Sequence, residues 1–507
     1  MSICGKNLVA GEWSGTTTGG FTAFHAINNE PMNIEFADAT EQEVETAILQ
    51  AAQAFESYSQ LPTQERATFL RAIGDEILAL GDELVEMACA ETGLPAARIQ
   101  GERGRTVGQL AMFANMIEAG EYQAIIEHAQ PNREPLPKPD TRLGYLPLGV
   151  VGVFAASNFP LAFSTAGGDT ASALAAGCPV VMKAHSAHPA TAELVALAIS
   201  RAITKCQLHP GVFSLLQGKN YGIASQIVKH PKVKAVGFTG SERVGMILQR
   251  QIHERAEPIP FYGELGSVNP QFIMANKLAQ DTQNIAQELV NSLLMGQGQF
   301  CTSPGIWVYP DDGHAAMFEQ AAADAIAATE AGVMLTPEIA TTYKNCVQQW
   351  QEIAGVRLLA QGKQGAEHFC TAALFATDFA TFKANAMLSE EVFGSSALLV
   401  RVGNTEEMLE LVDMLKGNLT ASIHALDSDL SDCQRLAIPL AHKVGRLIYN
   451  QMPTGVEVCA SMNHGGPFPA STDIRATSVG GEAIKRFQRP ICYQNMPIEL
   501  LPDLLKD

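Results

Sequence analysis

The chain has 507 residues, 47% hydrophobic and only 17% charged, enough apolar material for two or three buried cores. A formal charge of −19 argues against a nucleic-acid partner, which demands a basic face. No apolar run reaches the roughly 20 residues that a membrane helix needs. Ten cysteines without regular spacing, and without a CxxC pair, speak against a disulfide framework and against a metal site. Met1–Lys6 lacks the basic start and apolar run of a signal peptide, so a reducing, cytoplasmic setting is expected.

The first hundred residues read as an edge hairpin followed by helices. Thr40-Glu41-Gln42-Glu43 is a capping box that opens an alanine-rich helix running to Tyr58. Further helices start at Leu61-Pro62-Thr63 and at Gly81-Asp82-Glu83-Leu84. Prolines at 131, 135, 137, 139 and 147 bar Gln130–Pro139 from a helix or a central strand. That stretch reads as a crossing segment or edge strand leading into Thr141–Pro147. Beyond it strand and helix alternate. Strands are expected at Gly149–Ala155, Pro179–Lys183, Val212–Leu216 and Ala235–Phe238. Helices are expected at Asn158–Ala176, Ala190–Lys205, Gly222–Lys229 and Ser241–Glu254. Near-continuous apolar strands between amphipathic helices predict a parallel sheet covered on both faces. A second alternating run, Gln271 to Ile448, predicts a second α/β domain. The tail Pro490–Pro502 is again extended, and suits pairing with the 130–147 segment or with another subunit.

Cys301 stands out among the cysteines. It lies in Gly296-Gln297-Gly298-Gln299-Phe300-Cys301-Thr302-Ser303-Pro304, where small and polar neighbours offer access and close backbone approach rather than an apolar pocket. Glu264, in Gly263-Glu264-Leu265-Gly266, offers a base. Asn158 follows a predicted buried strand and either donates to a developing oxyanion or caps a helix. Lys183 ends another strand, where open α/β sheets bind ligands, with Ser186 on the same loop. Gly240-Ser241 form a strand-to-helix turn that accommodates a phosphate or is simply tight. No GxGxxG opens the first strand–helix unit.

Together these motifs resemble the aldehyde dehydrogenase superfamily. Asn158-Phe159-Pro160, Lys183, Phe238-Thr239-Gly240-Ser241, Glu264-Leu265-Gly266, Gly298-Gln299-Phe300-Cys301 and Glu391-Val392-Phe393-Gly394 occur in the family's order and spacing, across about Val9 to Arg489. The resemblance implies a Rossmann-type cofactor domain (1–129 and 148–260), an α/β catalytic domain (261–450) and a β oligomerisation arm (130–147 and 487–507), in a homodimer or homotetramer. It implies that Cys301 attacks an aldehyde, that Asn158 and the Cys301 N–H hold the oxyanion, and that Glu264 activates water to hydrolyse the thioester left after hydride transfer. It further implies that Lys183 and Ser186 face the adenosine ribose, Gly240 and Ser241 a phosphate, Glu391 the nicotinamide ribose and Phe393 the ring.

Departures from the family pattern refine the reading. Glu264-Leu265-Gly266 continues as Ser267-Val268 rather than Gly-Lys, and His464-Gly465-Gly466 stands where Phe-Gly-Gly is common. His464 is expected to tune the thiol or to act as a tunnel wall. Ser186 replaces the Glu that many NAD-specific members carry, so NADP should be accepted, alongside NAD. With Thr92-Gly93-Leu94-Pro95 and Gly101-Glu102-Arg103-Gly104-Arg105-Thr106, these features resemble the α-ketoglutaric semialdehyde dehydrogenase branch. Arg105 then anchors a substrate carboxylate, or pairs with Glu102 on the helix surface. Phe159 and Phe163 line the tunnel. The alternatives are a medium- or long-chain aliphatic aldehyde as substrate, and a cofactor-independent cysteine thioesterase.

Overall fold

The computed structural model describes residues 3–16, 20–120 and 124–506. Met1, Ser2 and Asp507, which the readings above touch, lie outside them. Five parallel strands form the body of the first sheet, in the order Phe261–Glu264, Val233–Thr239, Val150–Phe154, Val180–Lys183, Phe213–Leu216. The hairpin Asn7–Val9/Glu12–Ser14 is added antiparallel at the far edge, as expected of an edge hairpin. Val150–Phe154 is buried along its whole length because helices cover both faces, and that is why it alternates in nothing but shape.

Register sets the ligand-binding edge. Phe154 lies beside Lys183, Lys183 beside Leu216, Phe238 beside Phe154 and Thr239 beside Glu264. The carboxyl ends of all five strands therefore finish together, the place where open α/β sheets bind ligands. Phe261–Glu264 belongs to this sheet, so the chain crosses to the second sheet after Glu264 rather than at the boundary expected after residue 260.

The second sheet runs Arg357–Gln361, Ala373–Asp378, Ser396–Val402, Ile306–Pro310, Gln271–Ile273, Asn418–His424, Val444–Tyr449, parallel except at its first edge. Apolar cores flank each sheet on both sides. The helix Glu41–Tyr58 begins at the predicted capping box: Thr40 Oγ1 accepts from the Glu43 N–H at 3.2 Å, and Glu43 Oε2 accepts from the Thr40 N–H at 2.8 Å. Thr141–Pro147 pairs antiparallel with Gln488–Gln494 and with Ile125–Glu127, so the tail pairs within its own chain.

One expected helix is largely absent. Asn158–Ala176 is helical only over Gly168–Ala176. The backbone N–H groups of Leu161 and Ala162 each donate to Glu102 Oε1 at 2.9 Å instead of to carbonyls of a preceding turn. Pro160, with no N–H of its own, adds to the break.

Candidate active site

Cys301 sits on a loop between the helix Ala275–Leu294 and the strand Ile306–Pro310. Gly296, Gln297 and Gly298 take left-handed φ values of 57°, 58° and 67°, which turn the chain back sharply. A Cβ on Gly298 would lie 2.2 Å from the carbonyl of Gly394, so this loop packs backbone to backbone against the Glu391–Gly394 segment. Asn269 Nδ2 donates to the carbonyls of Cys301 and Ser303, each at 2.9 Å. Asn418 Oδ1 in turn accepts from the Val268 N–H at 2.8 Å. Sequence reading missed both asparagines. Asn269 precedes a proline and takes a φ of 45°, a conformation Asn tolerates, but nothing local in the sequence announces its partners.

The thiol meets two other groups. Cys301 Sγ lies 3.4 Å from His464 Nε2, and the same nitrogen lies 3.2 Å from Glu264 Oε1. Ser478 Oγ donates to Glu264 Oε2 at 2.5 Å. Glu264 and His464 are buried, with 5% and 1% of their surface exposed. Burial alone would raise the Glu264 carboxyl; the neighbouring imidazole and the Ser478 hydroxyl outweigh it and hold the carboxyl below its ordinary range. The Cys301 thiol moves the other way, pushed well above its ordinary value by burial and then by the negative charge of Glu264. Carboxylate and thiol are thus driven apart, a base-and-acid assignment set by environment. His464 lines the cavity that opens onto Cys301, and its Nε2 lies between thiol and carboxylate, a contact that a plain wall would lack.

Asn158 follows the strand Val150–Phe154 on irregular backbone and caps no helix, because the helix begins ten residues later at Gly168. Its Nδ2 donates to the Gln299 carbonyl at 2.9 Å, which fixes the amide beside the cysteine loop. That amide carries two N–H donors, and this contact occupies one.

A cavity of about 310 Å³ opens onto Cys301. Phe159, Phe163 and Phe300 form its apolar wall, with Phe159 edge-on to both others at ring separations of 5.4 and 5.1 Å. Arg105 lines it too. Glu102 pairs with Arg98 rather than Arg105, Nη1 to Oε2 at 2.5 Å, so the helix-surface pairing considered for Arg105 is not formed. Arg105 donates to the Val456 carbonyl and makes no ion pair with any described residue. Burial lowers its pKa. Arg98, which sequence reading overlooked, stands two helical turns from Arg105 in the same lining.

A second cavity, of about 280 Å³, lies at the carboxyl ends of the first sheet and brings Lys183, Ser186, Gly240 and Ser241 together. Lys183 Nζ donates to the carbonyls of Ala184 and Gly218, both at 2.6 Å, and burial lowers its pKa to about 8. Ser241 caps the helix Glu242–His253. A Cβ on Gly240 would come within 2.8 Å of the Phe238 ring, so a larger residue there would have to displace that ring. Glu391 and Phe393 sit elsewhere, on the segment packed against the cysteine loop. The Ser267 N–H reaches Glu391 Oε1 at 3.5 Å, and burial pushes the Glu391 carboxyl up to about 8. A lysine, small hydroxyls and a helix N-terminus at the sheet's carboxyl edge, with a carboxyl nearer the thiol, fit an anionic dinucleotide. Among the described residues, no helix is long and apolar enough to cross a membrane.

Two α/β sheets, a cavity at the strand ends and a half-buried thiol beside a buried carboxylate fit an α/β enzyme with a dinucleotide site. The sequence model of the aldehyde dehydrogenase family matches residues 15–482, and the chain belongs to that family, whose members oxidise aldehydes with NAD(P). The chain is 47% identical to alpha-ketoglutaric semialdehyde dehydrogenase 2 of Azospirillum brasilense, covering 100% of this chain and 97% of that protein. It is 43% identical to the alpha-ketoglutaric semialdehyde dehydrogenase of Acinetobacter baylyi, covering 99% and 96%. Among solved structures it matches betaine aldehyde dehydrogenase of Staphylococcus aureus with a TM-score of 0.83 at 21% identity, covering 97% of this chain and 95% of that one. At that identity the likeness concerns the fold.

Proposed function

We propose that this enzyme oxidises 2,5-dioxopentanoate to 2-oxoglutarate. The observation that carries the reading is Arg105: a half-buried guanidinium without an ion-pair partner among the described residues, in the cavity that opens onto Cys301. A substrate with an aldehyde at one end and a carboxylate at the other satisfies both. The full-length likeness to two enzymes named for that semialdehyde supports it.

The residues divide the work as follows. Cys301 Sγ adds to the aldehyde carbon as its proton passes to Glu264, the nearby carboxylate that environment keeps ionised. The Asn158 amide and the Cys301 backbone N–H stabilise the oxyanion. A bound NAD(P) supplies the hydride acceptor. Glu264, once it has passed the thiol proton on to solvent, takes a proton from water, which attacks the Cys301 thioester; the acid leaves and the Cys301 thiolate is reprotonated. Lys183 and Ser186 hold the adenosine ribose, Gly240 and Ser241 a phosphate, and Glu391 with Phe393 the nicotinamide end. Ser186 brings no carboxylate against a 2′-phosphate, so NADP is the preferred cofactor and NAD is accepted.

The first sheet with its helices acts as the cofactor domain and the second as the catalytic domain. The arm of residues 130–147 and 487–507 joins subunits into a homodimer or homotetramer. A cytoplasmic setting accords with ten cysteines that form no disulfide among the described residues.

Steady-state kinetics test the reading, with 2,5-dioxopentanoate against hexanal and NADP against NAD. Arg105→Leu should raise KM for the dioxo acid far more than for hexanal, and equal effects would remove the carboxylate anchor. Cys301→Ala should abolish turnover; residual reduction of NADP by aldehyde would defeat the mechanism. Higher kcat/KM for hexanal in the wild type would favour the aliphatic reading, which the three phenylalanines accommodate.

A further inference from the structure

We propose that Arg98 recognises the 2-oxo group of the substrate, while Arg105 takes the carboxylate next to it. This rests on the semialdehyde reading and adds a second specificity residue to it. Arg98 and Arg105 lie on the helix Ala96–Ala119, two turns apart on one face, and both line the cavity that reaches Cys301.

The two arginines differ in charge balance. Glu102 is the carboxylate of that lining, and its oxygens are already committed: Oε1 to the N–H groups of Leu161 and Ala162, Oε2 to Arg98. Arg98 is therefore a neutralised guanidinium. Arg105 is not, since no described carboxylate pairs with it. An anion gains most at Arg105, and a neutral acceptor loses nothing at Arg98.

Both side chains also carry unused donors. Arg98 Nη2 and Arg105 Nε are buried and have no hydrogen-bond partner. Guanidinium nitrogens only donate, so a ligand that meets these side chains in the cavity must bring acceptors. A 2-oxo acid has them on adjacent carbons, one ketone oxygen beside one carboxylate. Arg98 is held ready for this, because its guanidinium lies over the Phe159 ring at 4.5 Å and near the Phe300 ring at 5.4 Å, with Glu102 fixing the other end of the fork. Arg105 lies over Phe163 at 5.9 Å.

The test compares kcat/KM for 2,5-dioxopentanoate and 5-oxopentanoate, which keeps the length and the carboxylate but has a methylene in place of the ketone. A hydrogen bond from a charged donor corresponds to a preference of about 10- to 100-fold for the dioxo acid in the wild type. Arg98→Lys keeps the charge beside Glu102 and loses the free fork nitrogen, so that ratio should collapse towards one. Arg98→Leu should do the same, and Arg105→Leu should weaken both substrates together and leave the ratio standing. An unchanged ratio in both Arg98 variants overturns the assignment. A measurement on wild-type enzyme stands apart from any folding defect: 2-oxoglutarate should bind more tightly than glutarate by a similar factor, and equal affinities overturn the assignment. If the wild type oxidises both semialdehydes equally, Arg98 loses its role while the proposed function survives. If it does not oxidise 2,5-dioxopentanoate at all, the proposed function falls and takes this inference with it.

Discussion

His464→Phe restores the residue that the family commonly carries and removes the nitrogen lying 3.2 Å from Glu264 Oε1. The carboxylate would keep the Ser478 hydroxyl as its hydrogen-bond partner and stay buried. The net worth of a hydrogen bond to a charged group is about 1.5–3 kcal/mol, or roughly 10- to 100-fold in the ratio of ionised to protonated carboxyl. The sign follows from the direction of the shift. Glu264 is held below the ordinary carboxylate range, so a step that needs it ionised runs at neutral pH and fails only as pH falls through that lowered value. Without His464, burial dominates and the failure begins at higher pH. Hydrolysis of the Cys301 acyl-enzyme, followed by intact mass after a single turnover across a pH series, reports this limb directly. The proton concentration that halves the rate should drop about 10- to 100-fold in His464→Phe. Glu264→Gln should slow hydrolysis throughout and abolish the limb, alone or combined with His464→Phe. An acid limb that stays in place in His464→Phe would refute the coupling and leave His464 a wall.

Glu264→Gln removes the charge that helps keep the Cys301 thiol protonated before substrate binds, so alkylation of Cys301 by iodoacetamide at neutral pH should accelerate several-fold; unchanged labelling would show that the Glu264 charge does not govern the resting thiol. Gly298→Ala places a Cβ 2.2 Å from the Gly394 carbonyl at a φ of 67°, and should cost more than about 1 kcal/mol in chemical denaturation and lower kcat; unchanged stability and turnover would show that the two loops yield freely. Ser186→Glu puts a carboxylate into the cavity beside Lys183 and should lower kcat/KM for NADP at least tenfold relative to NAD, measured by steady-state kinetics; an unaltered ratio would place the 2′-phosphate elsewhere.

What could be read from the sequence was local or periodic. The capping box at Thr40 and the apolar runs at Val150–Phe154 and Val180–Lys183 are decided within a few residues by burial and backbone chemistry, so the parallel sheet was legible. Asn158–Ala176 misled because its apolar spacing suits a helix, while the acceptor that draws off the Leu161 and Ala162 N–H groups lies about sixty residues upstream, on Glu102. Glu102 also explains the misplaced ion pair. Spacing permits it to meet Arg98 at i,i+4 or Arg105 at i,i+3. The loop that carries Phe159 holds one of its oxygens, and Arg98 takes the other. Arg105 is thereby left without an ion-pair partner among the described residues, which is what the proposed carboxylate anchor requires. His464 was visible as a departure from the family pattern, but its contact with a thiol 163 residues away depends on how two sheets meet. Fold was therefore carried by periodicity. The proposed selectivity rests on a competition among distant partners for one buried carboxylate, and that competition is settled only when the chain is packed.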